Sequence, residues 1–425
     1  MFKPIKSIFE KQHKTLWSVL LLFMTFLMVS SYIPVDSITI SKKEALSTTT
    51  EVDAESLKRH TLFQANLNRA LRDYFKIAID SGDIVGAGVS IVYGDSILVS
   101  GGFGKRAVEE NDFIDGETVF RLGSLSKGFA GVLMASLQED GKLDWNDKVV
   151  DYLPSFQFGD SANTKKIKLS HILSHTAGTP YHSYTNLVEA GISVEKITER
   201  FKEVEPISGP GTMYSYQNAM FSLSQEVAKK VTGQEVNALL DNRFFKPLGM
   251  TSVSMEHDVL MNQKNVALPH SKRNNHWRSL PLTDKYYNAV VAGGINASSL
   301  DMAKWMRFLL GHHPEVLKPK TIEQVFEPFV EVNYNNKYYQ RWPDHIQSHY
   351  GYGWRIHSFK NEISQQEKTV WHHGGSVNNY RNEIALYPED DLGICVLLNG
   401  NSRLAQTVIP DVYAIVSEAY SNIYH

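Results

Sequence analysis

Apolar positions along the chain repeat at strand spacing near both ends and at helical spacing between them. Leu62, Leu67, Ala70, Leu71, Phe75 and Ile77 predict an early helix. Val85 to Tyr93, a Gly94-Asp95-Ser96 turn and Ile97 to Ser100 read as a hairpin. From Ser124 onward, Leu125, Phe129, Leu133 and Leu137 share one helix face, and Gly141 stands where that helix should stop. Over about 142–340, helical runs alternate with Gly and Pro. Leu169 to His175 precedes Gly178, Asn218 to Val231 precedes Gly233, and Leu300 to Leu310 precedes Gly311. Trp305, Phe308 and Leu309 make an i, i+3, i+4 core stripe. The run Tyr334 to Trp342 reads as a surface loop that could rim a cleft.

Strands then return: Trp354-Arg355-Ile356, a segment near Trp371, Glu383 to Tyr387, the turn Pro388 to Asp391, and the apolar run Leu392 to Leu398. A last helix spans about Pro410 to Tyr420, with proline in its first turn. Short turns between the C-terminal strands imply an antiparallel sheet rather than a doubly wound parallel one. The expected class is therefore α+β: strands, a long helical insertion, strands, helix.

The first residues follow a different pattern. Lys3, Lys6, Lys11 and Lys14 precede the apolar run Leu16 to Val29, with Glu10 the only acid among them, and Ser30-Ser31-Tyr32 follows. A basic flank before an apolar run fits a secretory signal. The run extends weakly through Ile33 and Val35, long enough to stay as a single anchor with the lysines inside. Residues 1–35 are thus expected to be a signal peptide or an N-terminal membrane anchor, residues 36–60 a polar linker or frayed helix, and 61–425 one domain. Export to the periplasm, or to the outer face of the cytoplasmic membrane, follows, with attachment through residues 16–35 if the segment is retained.

Composition narrows the remainder. The 425 residues are 42% hydrophobic and 21% charged, with a net charge of -3. That balance lacks the basic excess of a nucleic-acid binder. Cys395 is the single cysteine, so no intrachain disulfide can form, and its apolar run marks it as a core residue. No cofactor or metal is implied. Adjacent His372 and His373 on a strand would point to opposite faces, which disfavours a shared metal.

Three short motifs carry candidate chemistry: Ser124-Leu125-Ser126-Lys127, Tyr216-Gln217-Asn218 and His373-Gly374-Gly375. At i, i+3 on a helix, Ser124 and Lys127 face the same way. A serine hydroxyl needs a neighbouring base to become nucleophilic, and lysine serves only if its pKa is lowered. A tyrosine nearby can relay the proton. Asn218 could hold a substrate amide or cap its helix. Glycines at 374 and 375 let a substrate backbone approach, and the next N–H, at Ser376, could donate to an oxyanion. Each motif alone is common. Ser193-x-x-Lys196 repeats the first, and Tyr-x-Asn recurs several times. Context separates them: Phe120-Arg121-Leu122-Gly123 before Ser124, and Pro210-Gly211-Thr212 before Tyr216.

In their order and flanks the motifs resemble the serine β-lactamase-like hydrolases, a group of class C β-lactamases, D-alanyl-D-alanine carboxypeptidases, D-aminopeptidases and esterases. The resemblance covers about 65–420 and includes Gly141-Lys142-Leu143-Asp144, Ile172 to Gly178, Pro247 to Met250, Ala292-Gly293-Gly294 and Tyr350 to Trp354. Asn379-Tyr380-Arg381 fixes the third motif on His373. The resemblance implies an antiparallel sheet flanked by helices with an all-helical subdomain. It implies Ser124 as the acylated nucleophile, with Lys127 and Tyr216 sharing acid/base work and Asn218 binding the substrate amide. His373 would occupy a strand position that is lysine in class C β-lactamases, and the N–H groups of Ser124 and Ser376 would form an oxyanion hole. The expected function is an exported serine hydrolase acting through an acyl-enzyme on a small-molecule or peptide substrate, foremost a peptidase or amidase. An esterase or a β-lactamase is the alternative within that chemistry; a non-catalytic penicillin-binding sensor of the envelope is the alternative outside it.

Overall fold

The computed structural model describes residues 41–332, 337–360 and 365–424. The basic and apolar segment 1–35 lies outside them. Among the described residues no helix is long and apolar enough to cross a membrane. The polar stretch read as linker or frayed helix is helical from Ser41 onward, as the start of α1 (Ser41–Asp80). Residues 41–73 of α1 and 413–424 of the last helix, α5 (Val408–Tyr424), fall in one compact unit. Within it, Phe63 meets the rings of Tyr420 and Tyr424 edge-on. Residues 74–412 form the second unit, which holds the three motifs.

That unit is built on an eight-stranded sheet. Its strands are β1 (Gly86–Tyr93), β2 (Ser96–Gly104), β3 (Val330–Glu331), β4 (His345–Tyr350), β5 (Arg355–Lys360), β6 (Glu367–Val377), β7 (Tyr380–Tyr387) and β8 (Leu392–Leu398). The order is β2-β1-β8-β7-β6-β5-β4-β3, and every neighbouring pair is antiparallel. Strand β8 is buried along its whole length, which explains why its sequence is continuously apolar rather than alternating. Cys395 is part of that core, and burial pushes its thiol far above the usual range.

Helix α2 (Ser126–Glu139) precedes the insertion, which holds α3 (Asn218–Thr232) and α4 (Ser299–Leu309) among shorter helices. A capping box between Ser298 and Asp301 starts α4. Its stripe Trp305, Phe308 and Leu309 is buried, and Trp305 stacks on Phe129 of α2 at 4.2 Å. Gly393 of β8 leaves room for Met306, since a Cβ there would sit 3.0 Å from its sulfur. The insertion is not wholly helical. It holds a hairpin, His270–Arg273 with His276–Ser279, and a short strand, Asn296–Ser298, pairing with Val119–Arg121. The run after Val332 is also less exposed than its polar sequence suggests. Residues 333–336 lie outside the description, but Tyr339 and Trp342 are buried. Sequence polarity misses this because both aromatics are flanked by solvent-facing partners.

Candidate active site

The turn into α2 delivers the first two groups. Gly123 adopts φ +57, a conformation a side chain would strain, and opens a 3-10 turn through Ser124 and Leu125. Ser124 is the partly exposed residue of this turn; Ser126 and Lys127 behind it are fully buried. One α2 turn on, Trp354 lies against Gly128, where a Cβ would fall 2.6 Å from its ring.

Lys127 has an unusual set of partners. Its Nζ donates to Asn218 Oδ1 at 2.7 Å and to the carbonyl of Ala292 at 2.8 Å. It lies 4.8 Å from the Tyr216 ring centroid and 5.4 Å from that of Phe221. No carboxylate pairs with it among the described residues. Burial, then the charge of Arg355, hold its pKa well below the ordinary lysine value. A neutral amine has two N–H donors and one lone pair. Two acceptors consume the donors and leave the lone pair available.

Tyr216 precedes α3 and is hydrogen-bonded to the Ser124 side chain. Burial pushes its phenol up to about 12, although the Ser124 contact and Arg355 pull the other way. The group is therefore a protonated hydroxyl at neutral pH. Gln217, rather than Asn218, caps α3, its side chain accepting from the N–H of Ala219 at 3.1 Å. Asn218 uses both ends of its amide internally: Oδ1 accepts from Lys127, and Nδ2 donates to Tyr286 Oη at 3.1 Å.

The third motif lies on β6. A Cβ on Gly375 would run into the carbonyl of Leu122, and one on Gly123 would meet the Ser376 backbone at 2.8–2.9 Å. The two glycines thus let the Ser124 turn and the Ser376 backbone touch. Asn382 of β7 pins this junction by donating to the carbonyls of Arg121 and Leu122 at 2.8 and 3.1 Å. His373 is buried. Its Nδ1 faces the Gly374 carbonyl at 2.8 Å, so Nδ1 carries the proton and Nε2 accepts from Tyr350 Oη at 3.0 Å. Burial first, then Arg355 and Lys127, keep the ring neutral. Asn378 and Asn379, at φ 50 and 66, form the two-residue turn into β7. His372 points away from His373, into a separate network.

The Beta-lactamase family model matches residues 67–414. The chain belongs to the beta-lactamase family. It is similar to an unguisins hydrolase of Aspergillus campestris, 25% identical over 356 residues that cover 79% of this chain and 62% of that protein. It is also similar to protein flp of Staphylococcus aureus, 23% identical over 339 residues that cover 78% and 63%. The chain therefore spans under two thirds of the length of these curated relatives. Among solved structures, the octameric penicillin-binding protein homologue from Pyrococcus abyssi superposes with a TM-score of 0.67 at 21% identity, over 81% of this chain and 77% of that one. EstCE1, a hydrolase with promiscuous acyltransferase activity, gives 0.70 at 18% identity, over 85% and 99%. At these identities the structural likeness is one of fold.

Within this beta-lactamase-family site, several groups lie outside the three motifs. His175 sits at φ 60 beneath Tyr216, ring centroids 4.3 Å apart, and its Nδ1 accepts from the N–H of Gln217 at 3.3 Å. Tyr350 orients His373. Arg355 is the main positive charge bearing on Lys127, Tyr216 and His373. Its guanidinium carbon lies 5.1 Å from the Tyr339 ring centroid and 6.0 Å from that of Tyr350. Its Nε and Nη1 are enclosed and make no hydrogen bond among the described residues. The Tyr-Gly-Tyr-Gly-Trp run just before Arg355 was a signal for it, since it belongs to the resemblance. By contrast, Ser193 of the chance Ser-x-x-Lys copy is an exposed helix cap, accepting from the N–H of Lys196 at 3.4 Å.

Proposed function

We propose that this chain is an exported serine hydrolase that acylates Ser124, with Lys127 as the base. The observation that carries this reading is the Lys127 environment: a buried amine with two neutral acceptors, no counter-ion, and a lowered pKa, one turn from a serine bonded to Tyr216. Neutral Lys127 accepts the Ser124 proton as Oγ attacks the acyl carbon. Tyr216, a buried and protonated phenol hydrogen-bonded to Ser124, passes a proton to the leaving group. The N–H groups of Ser124 and Ser376 stabilise the oxyanion. Asn218 positions Lys127 rather than binding a substrate amide. Water then releases the acyl group by the reverse proton path.

A peptide or amide ending in a carboxylate fits best, because the positive charge of Arg355 bears on Lys127, Tyr216 and His373 together. An ester is the second reading; the neutral His373 favours it, since an uncharged leaving group needs no cation there. Export rests on the basic flank and apolar run within residues 1–35.

Intact-protein mass spectrometry after exposure to a D-Ala-D-Ala peptide, a nitrophenyl ester and a β-lactam tests this. The expected result is a mass gain mapped to Ser124 that decays for the peptide. Equal labelling of wild type and Ser124→Ala would overturn the nucleophile. A stable adduct with every probe would favour a non-catalytic sensor.

A further inference from the structure

Behind the His-Gly-Gly strand lies a set of titratable groups that acylation does not use. Glu383 of β7 is buried opposite Gly374. His372 Nε2 is 2.8 Å from Glu383 Oε2, and His372 Nδ1 is 3.0 Å from His357 Nε2. His357 Nδ1 is 2.8 Å from Ser348 Oγ, which is 2.8 Å from His345 Nε2. These four hydrogen bonds in series cross β4, β5, β6 and β7.

With Glu383 ionised and the rings neutral, one proton arrangement satisfies every link. The carboxylate only accepts, so His372 donates through Nε2 and accepts at Nδ1 from His357. His357 then accepts at Nδ1 from Ser348, whose oxygen accepts from His345 Nε2. His345 is half-buried on β4, beyond the two residues that pair with β3. A proton taken by His345 Nδ1 shifts each hydrogen one link along. Glu383 becomes a neutral acid, and the three rings end neutral with their tautomers exchanged. One unit of positive charge is relayed to Glu383, and no ring stays charged once the transfer is complete.

Glu383 also holds Arg381, whose Nη2 lies 2.9 Å from Oε1. The other titratable or charged groups that bear on Glu383 are Tyr338 and Tyr339 from the turn 338–341, Arg355 from β5 and Cys395 from β8. Arg381 in turn walls a polar pocket of about 320 Å³, completed by Asn401, Ser402, Arg403 and Gln406. Among the described residues no carboxylate lines this pocket. Ser402 Oγ already accepts from the N–H of Leu404 at 3.0 Å, so its own hydrogen is left to donate. Two guanidinium groups, a hydroxyl and two amides form a donor set for a small oxyanion.

We propose that this pocket binds a small oxyanion such as a carboxylate, and that binding is coupled to uptake of one proton by Glu383 along the His345–Ser348–His357–His372 wire. The ligand competes with Glu383 for Arg381. Neutralising Glu383 frees the guanidinium and removes a like charge from beside the ligand. Burial is the main cause that brings Glu383 up to about 7, so the exchange falls in the neutral range. Affinity is then highest when Glu383 is protonated and falls as pH rises.

Isothermal calorimetry of acetate and sulfate, in two buffers of different ionisation heat, reads both quantities directly and needs no turnover. The expected result near neutrality is uptake of a sizeable fraction of one proton, with affinity falling about tenfold between about pH 6 and 8.5. Acetate binding alone would assign a carboxylate site; equal binding of both would assign a general oxyanion site. Arg403→Ala should weaken binding about tenfold, placing the ligand here rather than at Arg355. Glu383→Gln should bind without proton uptake or pH dependence. Should that variant not fold, the wild-type infrared difference spectrum serves, with a protonated-carboxyl band appearing on ligand addition. Ser348→Ala should keep the final uptake but slow its approach after a pH jump. Absence of binding at millimolar ligand, binding without uptake, uptake unchanged in Glu383→Gln, or an unaltered rate in Ser348→Ala would each overturn the proposal.

Discussion

At the scale of single residues, the chemistry depends on what surrounds Lys127. Its amine must be neutral to act, so kcat/KM should rise with pH along one ionisation lying well below the ordinary lysine value of 10.5. Lys127→Ala should lower kcat/KM on the order of 10³-fold or more, because groups that act as a unit fail together. Arg355→Ala tests the electrostatic argument. Removing its charge should move the Lys127 limb to higher pH, and the KM for a carboxylate-ended peptide should rise about tenfold or more while that for a neutral ester changes little. An unmoved limb would mean that burial alone sets the lysine. Ser124, Lys127, Tyr216 and His373 were legible in the sequence because their motifs have fixed spacing. Arg355, His175 and Tyr350 lie in or beside segments of the resemblance, but their contacts with the motif residues are tertiary and not readable from spacing. Asn218 turns its amide oxygen to Lys127 and its nitrogen to Tyr286, contacts that its motif spacing does not reveal.

At the scale of elements, the site is a junction between the turn into α2 and strand β6. Two glycines make that junction possible, at positions where added atoms meet backbone. Gly375→Ala should cost about 1–3 kcal/mol of stability by overpacking. It should also reduce acylation more than denaturation midpoints suggest, because it separates the Ser124 and Ser376 amides. Parallel measurement of labelling rate and urea midpoint checks this; equal losses in both would make the glycine merely structural. The helix, hairpin and C-terminal strands were readable from periodicity. The length of α1 was not, since its first turns are polar and lack an apolar stripe. Nor was β3, at two residues too short to show alternation.

At the scale of the whole molecule, buried neutral histidines couple folding to pH. His175, His357, His372 and His373 are all held well below their ordinary 6.5, with burial the leading cause. The unfolded chain therefore takes up protons below about pH 6.5 that the native state refuses. Their contribution is present above that value and is lost as pH falls, by about 1.4 kcal/mol per pH unit for each group. Glu383, held up to about 7, acts in the opposite sense between its ordinary 4.5 and that value, but it is one group against four. Urea midpoints measured from about pH 7 down to 5 should fall steadily; a flat or rising series would show that these rings are not neutral in the native state. The junction of Ser124 with Ser376 has a kinetic consequence as well. The two residues come from opposite ends of the folded unit, so no local piece of chain can assemble the proposed oxyanion site. During refolding, helix content should recover first and covalent labelling of Ser124 last, which makes the label a clock for the final long-range closure of the sheet onto α2.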